Sequence, residues 1–141
     1  TQLSPKSSSR DGNRIIAKVT TGIDLIEIHR ICGVMERHGQ RFLHKVYTDR
    51  EIAYCSGRPS ELAARFAAKE ATSKALGTGL KGIFWRDMEI LSDLLGKPQV
   101  ILHGNALVRA RELGIQELGV SLTHTKNLAI ASVIGLIQEL E

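Results

Sequence analysis

Hydrophobic and polar positions change period several times along the chain. Residues 15–28, IIAKVTTGIDLIEI, are rich in β-branched residues and read as a strand with a largely buried apolar run. Residues 29–38 follow as a short helix ending near His38-Gly39. Thr48-Asp49-Arg50-Glu51 has the spacing of a capping box and opens a helix through about Cys55, which Ser56-Gly57-Arg58-Pro59 breaks. Ser60 is placed to cap a longer helix, ELAARFAAKEATSKALG, whose alanines favour helix and which Gly77-Thr78-Gly79 stops. Residues 86–93 and 98–103 suggest two strands joined by a Gly96-Lys97 turn. Residues 105–113 suggest an amphipathic helix ended by Gly114. Residues 118–124 and 127–137 suggest a final hairpin turning at Thr125-Lys126. This order predicts an α+β fold, with a mainly antiparallel sheet and helices packed on one face. Residues 1–14, TQLSPKSSSRDGNR, are polar and Ser-rich, so a flexible tail is expected before a single domain over 15–141.

Composition narrows the function classes. With 141 residues and 43% hydrophobic positions, the chain can bury a core without disulfides or a structural metal. Only 4% of residues are aromatic, with one Trp, which leaves little for stacking bases; no nucleic-acid partner is expected. The net charge of +4 favours an acidic partner or a phosphorylated small molecule. Two cysteines without C-x-x-C spacing argue for a reducing, cytoplasmic setting and against a zinc site. No run approaches the ~20 apolar residues of a membrane helix, so no membrane association is expected.

Two carboxylates stand out. Asp24 interrupts the apolar run of the first strand, where an ionised side chain needs a cation or strong donors. On a helical wheel of 100° per residue, Phe66 and Lys74 lie about 40° to either side of Glu70, and Gly77 shares the stripe. An i,i+4 Glu70–Lys74 surface pair and an internal ion pair for Asp24 account for these residues separately. Taken together, Asp24 and Glu70 could share a divalent cation such as Mg²⁺, which takes one or two carboxylates and completes its shell with water and phosphate oxygens. Lys74 and Arg65 would then suit phosphate charge. His124 sits at a strand end, either as a structural histidine or a ligand contact. Gly77-Thr78-Gly79 reads first as a helix C-cap, because phosphates prefer helix N-termini. No Ser-His-Asp order, G-x-S-x-G, Walker A or Rossmann glycine pattern is present.

Four segments together resemble a known family. GIDLIEIHR at 22–30 is similar to the first motif of the 4′-phosphopantetheinyl transferases, RFAAKEATSKALGTG at 65–79 to their second and most specific motif, and SLTHT at 121–125 to their third. FLHKVYTDRE at 42–51 resembles the region before the second motif. The resemblance spans about residues 17–137 and is to the short bacterial type, the holo-acyl-carrier-protein synthases.

The resemblance implies transfer of the 4′-phosphopantetheine arm of coenzyme A to a serine hydroxyl of an apo acyl carrier protein. Adenosine 3′,5′-bisphosphate leaves, in support of fatty acid biosynthesis. It implies Mg²⁺ held by Asp24 and Glu70, and catalytic roles for Glu70 and Lys74. It implies coenzyme A contacts by Arg65, Lys74, Gly77, His124 and Thr125, and a homotrimer with active sites at subunit interfaces. Arg30 falls on a carrier-contacting position, and Arg37, two turns on, lies on nearly the same face. A solvated basic face is the alternative for that pair. Two rival functions are a non-enzymatic basic module that binds an acidic protein or RNA, and a scaffold that binds coenzyme A without transferring it.

Overall fold

The computed structural model describes residues 15–140; the expected tail over 1–14 and the final residue lie outside the described residues. The chain runs β1 (Ile15–Glu27), α1 (Ile28–His38), α2 (Gln40–Val46), α3 (Asp49–Cys55), α4 (Pro59–Ala75), β2 (Met88–Ser92), β3 (Pro98–Leu102), α5 (Gly104–Leu113), β4 (Ile115–His124) and β5 (Leu128–Leu140). A 3₁₀ turn over Trp85–Asp87 precedes β2. Strands β1, β5 and β4 form a three-stranded sheet in that order, and β2 pairs with β3; every pair is antiparallel. The expected α+β class with a mainly antiparallel sheet is what the chain adopts.

Alternation along β1 decides what the sheet buries. Ile26 is buried toward α4, and the Thr20 hydroxyl donates to the Ala75 carbonyl at 2.7 Å. The intervening residues point the other way: Val19 and Ile23 are each 62% exposed and Leu25 is 55% exposed. The expectation of a largely buried strand is therefore corrected to a half-buried one. Its period of two sends the apolar neighbours of Asp24 to the uncovered face, together with Ile134 of β5.

Helix α4 packs on β1 and β5 through a surface of alanines. Ala63, Ala67, Ala68 and Ala71 are fully buried, so neighbouring backbone approaches closely. The helix starts two residues earlier than expected: Arg58 is the N-cap and Pro59 is the first helical residue, where its missing N–H costs nothing. Ser60 is not the cap. The α3 capping box forms as read, with Thr48 and Glu51 satisfying each other's backbone N–H groups.

Several boundaries shift. Helix α2 was not read from hydrophobic periodicity, because seven residues after the positive-φ Gly39 are too short to show a period. The β2–β3 strands are shorter than expected, and the Asp93 side chain organises their turn by accepting from the N–H groups of Leu95 and Lys97, each at 2.9 Å. The final hairpin is longer, with the Thr125 N–H donating to the Leu128 carbonyl across Lys126-Asn127. Among the described residues, no helix is long and apolar enough to cross a membrane.

Candidate functional site

The site begins with the absence of a side chain. A Cβ on Gly22 would lie 1.8 Å from the Ala71 carbonyl oxygen, so only glycine lets β1 run this close under α4. That approach brings the next inward residue, Asp24, to the exposed stripe of the helix. The Lys74 ammonium donates to the Ile23 carbonyl at 2.8 Å and meets Asp24 Oδ1 at 3.3 Å. Asp24 and Glu70 both line a cleft of about 260 Å³, whose remaining walls include Arg30, Ile31, Val34 and Phe66.

Lys74 thus pairs with Asp24, and the i,i+4 partnership with Glu70 does not form. Among the described residues, Glu70 has no ion-pair partner. Burial, and then the nearby Asp24 charge, push the Glu70 carboxyl above its ordinary range, against the opposing pull of Lys74. Two hard oxygen donors that repel each other across an open cleft fit a divalent cation. Among the described residues, no group of three or more His, Cys, Asp or Glu side chains gathers as a metal site, so any further ligands would be water or substrate oxygens.

Of the other residues singled out in the sequence, Arg30 lines the same cleft, and Arg65, Gly77, His124, Thr125 and Arg37 do not. The Arg65 side chain is buried, donating to Glu61 Oε2 at 2.8 Å and Ser92 Oγ at 3.1 Å while lying 4.2 Å over the Tyr54 ring. Its Nε has no hydrogen-bond partner. Gly77 follows the end of α4 with φ of 76°, beside Arg109, whose Nε caps the Leu76 carbonyl at 3.0 Å. This is the C-cap geometry. His124 ends β4 opposite Ala129, which in turn lies opposite Ile26. Strand β5 therefore separates His124 from β1, a span of about 10 Å at two strand spacings. The Thr125 hydroxyl accepts the N–H groups of Asn127 and Leu128 and so holds the turn. Arg30 is exposed at the cleft mouth, and Arg37 is exposed further along α1. His38, Arg41, Phe42 and Lys45 line a second hollow beyond them, of about 290 Å³.

Sequence reading missed Lys69, which is wholly buried against Glu51 with a 2.7 Å ion pair. The signal was a lysine facing the core side of an alanine-rich helix, one position before Glu70. It also missed the cluster around Glu89, whose carboxylate meets Arg50, Thr48 and His103. Burial opposes its charge, but hydrogen bonds from Arg50, Thr48 and His103 outweigh that and hold it down at about 2. Neither of the two free cysteines lines the cleft, and burial pushes the Cys55 thiol up to about 11. The cleft therefore presents carboxylates and cations and no nucleophile of its own.

The sequence and the fold have known relatives. The family model for the 4′-phosphopantetheinyl transferase superfamily matches residues 20–132. The holo-[acyl-carrier-protein] synthase of Herpetosiphon aurantiacus is 50% identical over 125 residues, covering 84% of this chain and 98% of that protein. That of Halothermothrix orenii is 45% identical, covering 81% and 94%. Among solved structures, Helicobacter pylori holo-[acyl-carrier-protein] synthase in complex with coenzyme A superposes with a TM-score of 0.74 at 32% identity, covering 84% of this chain and 99% of that one. The Plasmodium yoelii acyl carrier protein synthase with ADP bound gives 0.79 at 28% identity, covering 88% and 99%. The Asp24–Glu70 cleft thus lies within a matched stretch that takes in the first two motifs and most of the chain, and the chain belongs to the 4′-phosphopantetheinyl transferase superfamily.

Proposed function

We propose that this chain transfers the 4′-phosphopantetheine group from coenzyme A to a serine hydroxyl of an apo acyl carrier protein, releasing adenosine 3′,5′-bisphosphate. The observation that carries the reading is that Asp24 and Glu70 line one open cleft that holds no nucleophile, with Lys74 paired to Asp24. In this reaction the nucleophile is the carrier's serine, so the enzyme needs only to bind, orient and move a proton. Lys74 meets negative charge on a pyrophosphate or leaving-group oxygen. Glu70, facing the same cleft, is placed to take the serine proton. Asp24 and Glu70 would hold Mg²⁺, which when bound supplies positive charge to the pyrophosphate.

The finer parts of this reading rest on particular features. Arg30 at the cleft mouth and Arg37 on the same helix give the acidic carrier a basic approach. A homotrimer with shared active sites agrees with the exposed apolar face of β1 and β5, and with Gly77, His124 and Thr125 lying away from the cleft of their own chain. We assign the transferase domain to 15–141 and the coenzyme A contacts to Lys74, Gly77, His124 and Thr125; the expected contact by Arg65 is set aside, because its side chain is buried against Glu61, Ser92 and Tyr54. Free thiols suit a cytoplasmic enzyme, and we place the reaction in fatty acid biosynthesis.

The test is the intact mass of an apo carrier protein incubated with this chain, coenzyme A and Mg²⁺. A gain of ~340 Da, absent when a chelator removes the metal, is expected. A folded chain that modifies no carrier would overturn the proposal. Coenzyme A binding without transfer would then favour the scaffold, and salt-sensitive binding to an acidic partner without coenzyme A would favour the basic module.

A further inference from the structure

A buried charge pair lies behind the cleft wall, and its connections reach the reaction centre. The side chains of Lys69 and Glu51 are both fully buried. The Lys69 ammonium meets three acceptors, matching its three protons: Glu51 Oε1 at 2.7 Å, the Trp85 carbonyl at 3.2 Å and the Met88 carbonyl. Glu51 also accepts the Thr48 N–H at 2.9 Å and the Ile90 N–H at 3.0 Å. One ion pair therefore ties the start of α3, the middle of α4, the 3₁₀ turn and β2 to a single point.

Two of those ties lead to the cleft. Lys69 directly precedes Glu70, so whatever fixes the rotation of α4 at Lys69 also fixes the direction of Glu70. Trp85, whose carbonyl Lys69 holds, stacks on Phe66 with ring centroids 4.8 Å apart, and Phe66 lines the cleft one turn before Glu70. Stability alone is a weak reason for such a pair, because well-packed apolar residues of similar volume often serve as well or better in a core.

We propose that Lys69 and Glu51 are positioning residues for the transfer: their ion pair sets the rotation of α4 and the Trp85–Phe66 wall so that Glu70 faces Asp24. The inference rests on the transfer activity proposed above. It is separable from that activity because Trp85 is the single tryptophan of the chain and reports on the wall directly.

The test is the double variant Lys69→Met/Glu51→Leu, which removes both charges together and leaves neither buried and unpaired. It is expected to melt cooperatively near the parent temperature. Its kcat should fall at least tenfold while its KM for coenzyme A changes less than threefold, and Trp85 emission should shift. Parental kcat in the folded variant would overturn the inference, as would a loss of kcat with an unmoved Trp85 spectrum. Should the double variant fail to fold, Lys69→Arg keeps the charge but not the compact ammonium that reaches three acceptors. The same drop in kcat and shift in emission are expected there, and parental values would overturn the inference. A parent chain that transfers nothing would sink the proposed activity instead, and Trp85 emission alone would then decide whether the pair sets the wall.

Discussion

Replacing Gly22 with alanine tests whether the close approach of α4 to β1 builds the cleft. The new Cβ would sit 1.8 Å from the Ala71 oxygen, 2.8 Å from its carbon and 3.0 Å from the Ala75 nitrogen. All three are backbone atoms, so no side chain can swing away. Restoring an ordinary carbon–oxygen contact of about 3.2 Å requires strand and helix to separate by ~1.4 Å. That shift breaks the 2.7 Å Thr20–Ala75 and 2.8 Å Lys74–Ile23 hydrogen bonds and carries Asp24 away from Glu70 and Lys74. Overpacking of this kind costs about 1–3 kcal/mol of stability, and ~1 Å of misplacement at a reaction centre costs about 100-fold in rate. Gly22→Ala should therefore melt several degrees lower yet still fold, with kcat down roughly 100-fold when carrier modification is followed by mass. A variant with parental kcat and melting temperature would refute the claim that this contact sets the site.

Other outcomes follow from the charged groups. Glu70 has a raised carboxyl pKa in the fold, so its contribution to stability is present at acid pH and lost as pH rises through the folded value. In metal-free buffer, Glu70→Gln should thus raise the melting temperature at pH 8 and change it little near pH 3; a variant less stable at pH 8 would contradict this. Glu89 has the opposite sign, with a carboxyl held at about 2, so its stabilisation is present above the ordinary glutamate range and lost as pH falls toward 2. Glu89→Gln should cost ~2 kcal/mol at pH 7 by denaturant titration, with the deficit shrinking below pH 4; a deficit constant with pH would contradict it. Arg37→Glu, on the exposed face of α1, should raise the KM for an acidic carrier about three- to tenfold at low salt and leave the KM for coenzyme A unchanged. An unchanged carrier KM would remove Arg37 from the docking face.

Local signals in the sequence translated well into local structure. The Thr48–Glu51 capping box, the alanine-rich α4 and the Gly114 helix stop all appear where their chemistry places them. Each depends on residues within a few positions of one another. What was less legible depends on pairing distant segments. Strand β1 pairs with β5 at the other end of the chain, and that register turns Ile23 and Leu25 outward while turning Asp24 toward α4. The same strand order inserts β5 between β1 and His124, a separation no motif spacing reveals. Glu51 was visible as a cap residue, but its second role as the partner of Lys69 needed the 18-residue separation to close in space. The Asp24–Lys74 pair combines two readings kept apart in the sequence, an internal ion pair and a shared phosphate-facing site.

The most direct test of the Asp24–Glu70 centre is the intact mass of an apo carrier protein after a fixed incubation with coenzyme A, Mg²⁺ and either the parent chain or Glu70→Gln. The parent should add ~340 Da to the carrier, and the folded variant should add nothing over the same interval. Equal modification by both would contradict the assignment of the reaction to this cleft.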